Sequence, residues 1–124
     1  MGVIHRYKGQ FDWQGISLSH YPPEKEMKGV SVRWLIGPAE KAPNFDLRYF
    51  EIEPGGRTSL DRHAHDHGVV VLRGCGQVLL GQEEHEIAFG DVVYIPPDEA
   101  HQFKNSGEEP LGFLCVIPPK EASE

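Results

Sequence analysis

The sequence predicts an all-β domain built as an antiparallel sandwich or barrel. Two observations carry this expectation. Short runs rich in β-branched and aromatic residues recur along the chain, and turn-forming residues interrupt them at close intervals. Fourteen glycines and ten prolines supply the interruptions, and few windows carry the spacing of an amphipathic helix.

Taken in order, the expected strands are Val30–Ile36, Phe45–Glu53, His67–Leu72, Gly76–Leu80, Val92–Ile95, Gln102–Lys104 and Leu111–Ile117. Between them stand turn signals: Glu53-Pro54-Gly55-Gly56, Phe89-Gly90-Asp91, Pro96-Pro97-Asp98 and Asn105-Ser106-Gly107. Residues 1–29 are less regular, but Phe11, Trp13, Ile16, Leu18 and Tyr21 make them too apolar for a free tail. They are expected to pack as an arm outside a barrel spanning 30–118. Residues 119–124 read as a tail, frayed from Lys120 to Glu124. Two runs, Val69–Leu72 and Phe113–Ile117, are apolar on both strand faces, whereas a strand with one wet face should alternate. Their outer side needs a cover, from the arm or from a second subunit, and a homodimer is the expectation.

A chain of 124 residues fits a single domain and buries about two thirds of its unfolded surface, enough for one core. The net charge of −7, with Lys and Arg scattered, argues against nucleic acid and against an anionic membrane surface. No run approaches the roughly 20 apolar residues of a membrane span. The first residues lack the apolar segment of a secretory signal, so the expected location is the cytoplasm. Cys75 and Cys115 are far apart and form no paired motif, which favours reduced thiols.

The chemistry concentrates in Asp61-Arg-His63-Ala-His65-Asp-His67, with His101 further on. Imidazole is the commonest side chain to ligate a transition metal, and residues two apart on a strand share a face. Two regular patterns frame these residues. The first is Gly55, five residues, Asp61-x-His63, three residues, His67, six residues, Gly74. The second is Gly90, five residues, Pro96-x-Asp98, two residues, His101, three residues, Asn105.

Together these patterns resemble the two motifs of the cupin superfamily, and the flanking segments resemble its small single-domain bacterial members. Three positions depart from the motifs. Asp61 stands for the first His, His67 for the Glu, and Asp98 for a turn Gly, a place where Asp is tolerated. The resemblance implies a double-stranded β-helix, or jelly-roll, barrel holding one divalent transition metal ion (Fe, Mn, Ni, Cu or Zn). Its implied ligands are Asp61, His63, His67 and His101, with His65 the alternative for the fourth place. In the favoured register the cluster is split across a hairpin, and His65 sits at the turn apex.

Phe103 shares the face of His101 and should wall the pocket. Cys115 either points into that pocket or serves as a small apolar core residue. Arg48, Tyr49 and Gln102 are candidates for the mouth that strand parity alone does not assign. His85, in Gln82–Glu86, reads as a solvated edge or turn, and His5 and His20 have no partner pattern. There is no GxSxG elbow, P-loop or dinucleotide motif; Gly74-Cys-Gly76 reads as a tight turn.

An open-sided site of imidazole and carboxylate in a dry cavity suits a metal-dependent oxygenase acting on a small organic substrate. A metal-dependent isomerase and a non-catalytic small-molecule-binding or sensing module are the alternatives.

Overall fold

The computed structural model describes residues 2–21 and 27–119, so the tail from Lys120 to Glu124 lies outside the described residues. The arm carries β1 (Tyr7–Gly9), β2 (Asp12–Trp13) and β3 (Leu18–His20). Two long strands follow, β4 (Lys28–Ile36) and β5 (Asp46–Arg57), joined through a 3-10 turn at Pro38–Glu40. The remainder are β6 (His67–Arg73), β7 (Cys75–Leu80), β8 (Glu83–Ala88), β9 (Val92–Ile95), β10 (His101–Lys104) and β11 (Leu111–Ile117). Among the described residues no helix is long and apolar enough to cross a membrane.

β1 and β2 pair with each other, and the other nine strands form one antiparallel sheet curled into a half-barrel. Its order is β8-β7-β10-β5-β11-β6-β9, with β4 also paired to β5 and β3 to β4. The sheet curls because alternate residues demand opposite surroundings. His67, Val69 and Val71 of β6 point inward, as do Leu111, Phe113, Cys115 and Ile117 of β11 and His101 and Phe103 of β10. Tyr21, Phe50, Phe113 and Phe103 stack in series at centroid distances of 6.2, 5.6 and 4.4 Å, an aromatic spine along one wall. The break between β6 and β7 depends on Gly74. Its φ is +71°, and a Cβ there would overlap the Pro110 carbonyl oxygen.

The arm covers part of the outer face. Tyr49 points outward from β5 yet is fully buried, because Phe11 stacks on it at 5.6 Å and Trp13 leans on it at 5.5 Å. Polar contacts fix the arm: Arg33 with Asp12 at 3.2 Å, and His5 with Glu40 at 2.8 Å. The arm is also more than a wrapper, since β3 pairs with β4 and so extends the main sheet. Further along the same face, Val92, Tyr94 and Val116 stay exposed beside Val70.

Four strands escape the sequence reading, the short β1, β2 and β3 of the arm and one at the edge of the main sheet. Glu83–Ala88, taken there partly as a solvated edge or turn, is the edge strand β8, paired only to β7. Only Ile87 of its six residues is buried, so no apolar alternation announces it, and its charged side chains discourage pairing beyond it.

Candidate metal centre

His67 opens β6 opposite Ile95, and strand alternation turns it inward. His101 opens β10 and faces the same interior. His63 comes from a loop, whereas the spacing had suggested a strand of a hairpin. That loop is tied down by backbone bonds. Asp61 and His101 exchange N–H···O bonds of 2.9 Å each, Thr58 N–H donates to Phe103 at 2.9 Å, and Asp98 N–H donates to the His63 carbonyl at 2.6 Å. Asp98 manages this last contact in the left-handed region, at φ +68°, where the motif otherwise has Gly.

These constraints bring one ligand nitrogen from each of His63, His67 and His101 within 4.8 Å of one another. Small ring rotations would close that spread onto a single ion with bonds of about 2.1 Å. The electrostatics favour lone pairs over protons. Burial pushes the His67 imidazole down to about 3, and the neighbouring imidazoles reinforce the shift. Burial also lowers His63, against the opposing pull of the Asp61 charge. Both rings are therefore neutral near pH 7, the state a metal ligand requires.

The ring contacts agree with this reading. His101 Nδ1 lies 2.9 Å from the Glu99 carbonyl oxygen, which can only accept. Nδ1 therefore carries the proton, and Nε2 keeps its lone pair for the interior. His67 Nδ1 is buried without a hydrogen-bond partner, an orphaned nitrogen that an ion nearby would account for. The three imidazoles thus fit a divalent transition metal, and up to three positions on a six-coordinate ion would remain open.

Asp61 and His65 stand outside the three-nitrogen set. Asp61 lines the same cavity, with its Oδ2 accepting from the Ser59 hydroxyl at 2.8 Å. His65 stacks flat on His63 at 5.1 Å and lies 4.8 Å from His67, next to the cluster. Phe103 and Cys115 both line the cavity, whose volume is about 220 Å³. Val30, Phe50, Val69, Ile95 and Phe113 supply apolar wall, and Arg48, Thr58 and Tyr21 add polar groups.

Of the three mouth candidates, Arg48 lines the cavity. Tyr49 lies beneath the arm, and Gln102 donates to the Thr58 carbonyl at 2.8 Å. Asn105 has a structural role. Fully buried, it donates to the Ile52 and Glu109 carbonyls at 2.8 Å each and accepts from Gly107 N–H at 2.9 Å.

A curled β half-barrel with three imidazoles converging on a mostly apolar cavity defines a β-barrel protein whose three His are placed to hold a metal ion. The chain belongs to the cupin domain family, whose signature spans residues 48–117. It is 37% identical over 111 residues to the 1-methylthio-D-xylulose 5-phosphate methylsulfurylase of Rhodospirillum rubrum, covering 90% of this chain and 71% of that protein. Among solved structures, a cupin 2 conserved barrel domain protein from Rhodopseudomonas palustris superposes with a TM-score of 0.85 at 35% identity, covering 94% of this chain and 80% of that one. A sugar phosphate isomerase of the cupin superfamily from Silicibacter pomeroyi superposes at 0.72 with 30% identity, covering 86% and 73%.

Proposed function

We propose that this protein is a metal-dependent enzyme acting on a small α-hydroxycarbonyl compound of the sugar phosphate type. The observation that carries the reading is the convergence of three imidazoles on one wall of a cavity of about 220 Å³. That volume suits a substrate of roughly a dozen heavy atoms, a little under the range of about 300–1,000 Å³ of ordinary ligand pockets. A divalent ion bound there supplies a Lewis acid for a carbonyl oxygen. The protein's own part is to exclude water with the Phe50, Phe103 and Phe113 wall and to hold His63 and His67 neutral. The similarity to a methylsulfurylase of a xylulose phosphate and to a sugar phosphate isomerase supports this substrate class.

The second reading is an oxygenase of a small organic molecule, which the apolar, aromatic-walled cavity favours. One experiment separates them. Protein loaded in turn with Mn(II), Fe(II), Ni(II) or Zn(II) is incubated in D₂O with a panel of ketose and aldose phosphates that includes 1-methylthio-D-xylulose 5-phosphate. Oxygen uptake is followed in parallel with phenols and diketones. The expected result is metal-dependent consumption of a sugar phosphate, or deuterium wash-in beside its carbonyl, abolished in His101→Ala. Oxygen uptake without wash-in supports the oxygenase. No turnover at all by fully loaded protein overturns both in favour of a binding module.

A further inference from the structure

The cavity holds a fixed positive charge that the metal reading leaves unused. Arg48 stands opposite Cys115 in the β5–β11 ladder, so both side chains fall on the inner face and line the cavity beside the imidazoles. The guanidinium is held in place on several sides. Its carbon lies 4.7 Å from the Phe50 ring centroid and 5.3 Å from that of Trp34. Its Nη2 donates to Cys115 Sγ at 3.4 Å, a weak acceptor. Its Nε is buried with no hydrogen-bond partner.

Ion pairs elsewhere engage Arg33 with Asp12 and Arg73 with Glu51, but among the described residues none engages Arg48. A half-buried guanidinium that meets no carboxylate is relieved by an oxyanion that takes two N–H bonds. The chain carries a net charge of −7, so a local cation is what would let an anionic substrate settle inside.

We propose that Arg48 is the anion-recognising residue of this cavity, gripping a carboxylate or phosphate of the substrate through the terminal N–H groups of its guanidinium. The substrate is then an anionic molecule whose other oxygens reach the three imidazoles. Only that second half rests on the metal reading. Arg rather than Lys suits the task, because its fork fixes the orientation of the substrate as well as its charge.

The test uses the full-length protein labelled with ¹⁵N, both metal-free and loaded with Zn(II), titrated separately with inorganic phosphate and with oxalate. The expected result is a saturable shift of the Arg48 Nε–H resonance, identified by its loss in Arg48→Lys. Calorimetry on Arg48→Met should then show anion affinity weakened on the order of 30-fold with zinc content unchanged. Tighter binding of phosphate points to a phosphorylated substrate, and tighter binding of oxalate to a carboxylate.

A resonance that stays fixed with both anions, or an Arg48→Met variant that binds them like the wild type, overturns the proposal. If Arg48→Met does not fold, the wild-type titration decides alone. The metal-free arm separates the two readings. A shift there sustains Arg48 even if His101→Ala retains its zinc, which would sink the metal site instead.

Discussion

One methyl group on Gly112 should test how the arm is seated on the barrel. A Cβ at Gly112 would overlap Tyr49 Oη and lie 2.7 Å from Tyr49 Cζ and 3.1 Å from Arg73 Cβ. Carbon atoms rest at about 3.5–4.0 Å, so the Tyr49 ring would have to move by about 1 Å. It has nowhere to go. Phe11 stacks on it, Trp13 leans on it, and its hydroxyl donates to Glu51 Oε2 at 3.0 Å, an oxygen that also accepts from Arg73 at 2.7 Å. The conflict is one of space, since Gly112 is not among the glycines at positive φ.

Overpacking costs about 1–3 kcal/mol, and loss of a hydrogen bond to a charged acceptor costs about 1.5–3 kcal/mol. Because partial relaxation relieves both, Gly112→Ala should destabilise by about 3 kcal/mol. Urea unfolding with an unchanged m-value is the assay. Tyr49→Phe in the same chain removes the overlapping oxygen and should recover about 1–2 kcal/mol of the loss. Phe113 and Cys115 face the other way, so the folded variant should keep its metal. A single variant within about 0.5 kcal/mol of wild type would refute the placement of the arm over Tyr49.

Further expectations concern the site and the surface. Elemental analysis of untagged protein should find one metal equivalent. Ala at His63, His67 or His101 should weaken retention by at least about 100-fold, while Asp61→Asn and His65→Ala stay within about tenfold; equal losses at all five positions would contradict the three-nitrogen set. In metal-stripped protein, folded His67 takes up its proton only near pH 3, whereas the unfolded chain does so near 6.5. Stability should therefore fall as pH drops through that window, by about 1.4 kcal/mol per unit from this group, and hold steady above it. Urea midpoints across pH 4–7.5 that fall as steeply in His67→Gln as in wild type would remove His67 as the cause. Sedimentation should show a homodimer closed by the outer face of β9 and β11, where Val92 is 74% and Tyr94 59% exposed. Val92→Lys should yield monomer, and a wild-type monomer at high concentration would end that expectation.

Much of this protein is legible in one dimension because its signals are local. The two-residue period of β6, β10 and β11 follows from the pleat, and it says which side chains share a face before any partner strand is known. Turn residues are equally local. Gly74 adopts positive φ, and Asp98 fills a left-handed turn where the motif has Gly. The resemblance read between Gly55 and Asn105 implies Asp61, His63, His67 and His101 as ligands, and the fold gathers the three imidazoles of that set.

The tertiary structure decided what depends on partners far along the chain. β8 exists because β7 offers it a ladder, although five of its six residues are not buried. Asp61 differs from the three imidazoles because the Ser59 hydroxyl and the backbone bridge to His101 fix where its carboxylate sits. Arg48, Tyr49 and Gln102 had equal standing by strand parity until the β5–β11 register set Arg48 against Cys115 inside and Tyr49 under the arm. A two-residue period says that neighbours face opposite ways. Only the packing of distant strands says which way is in.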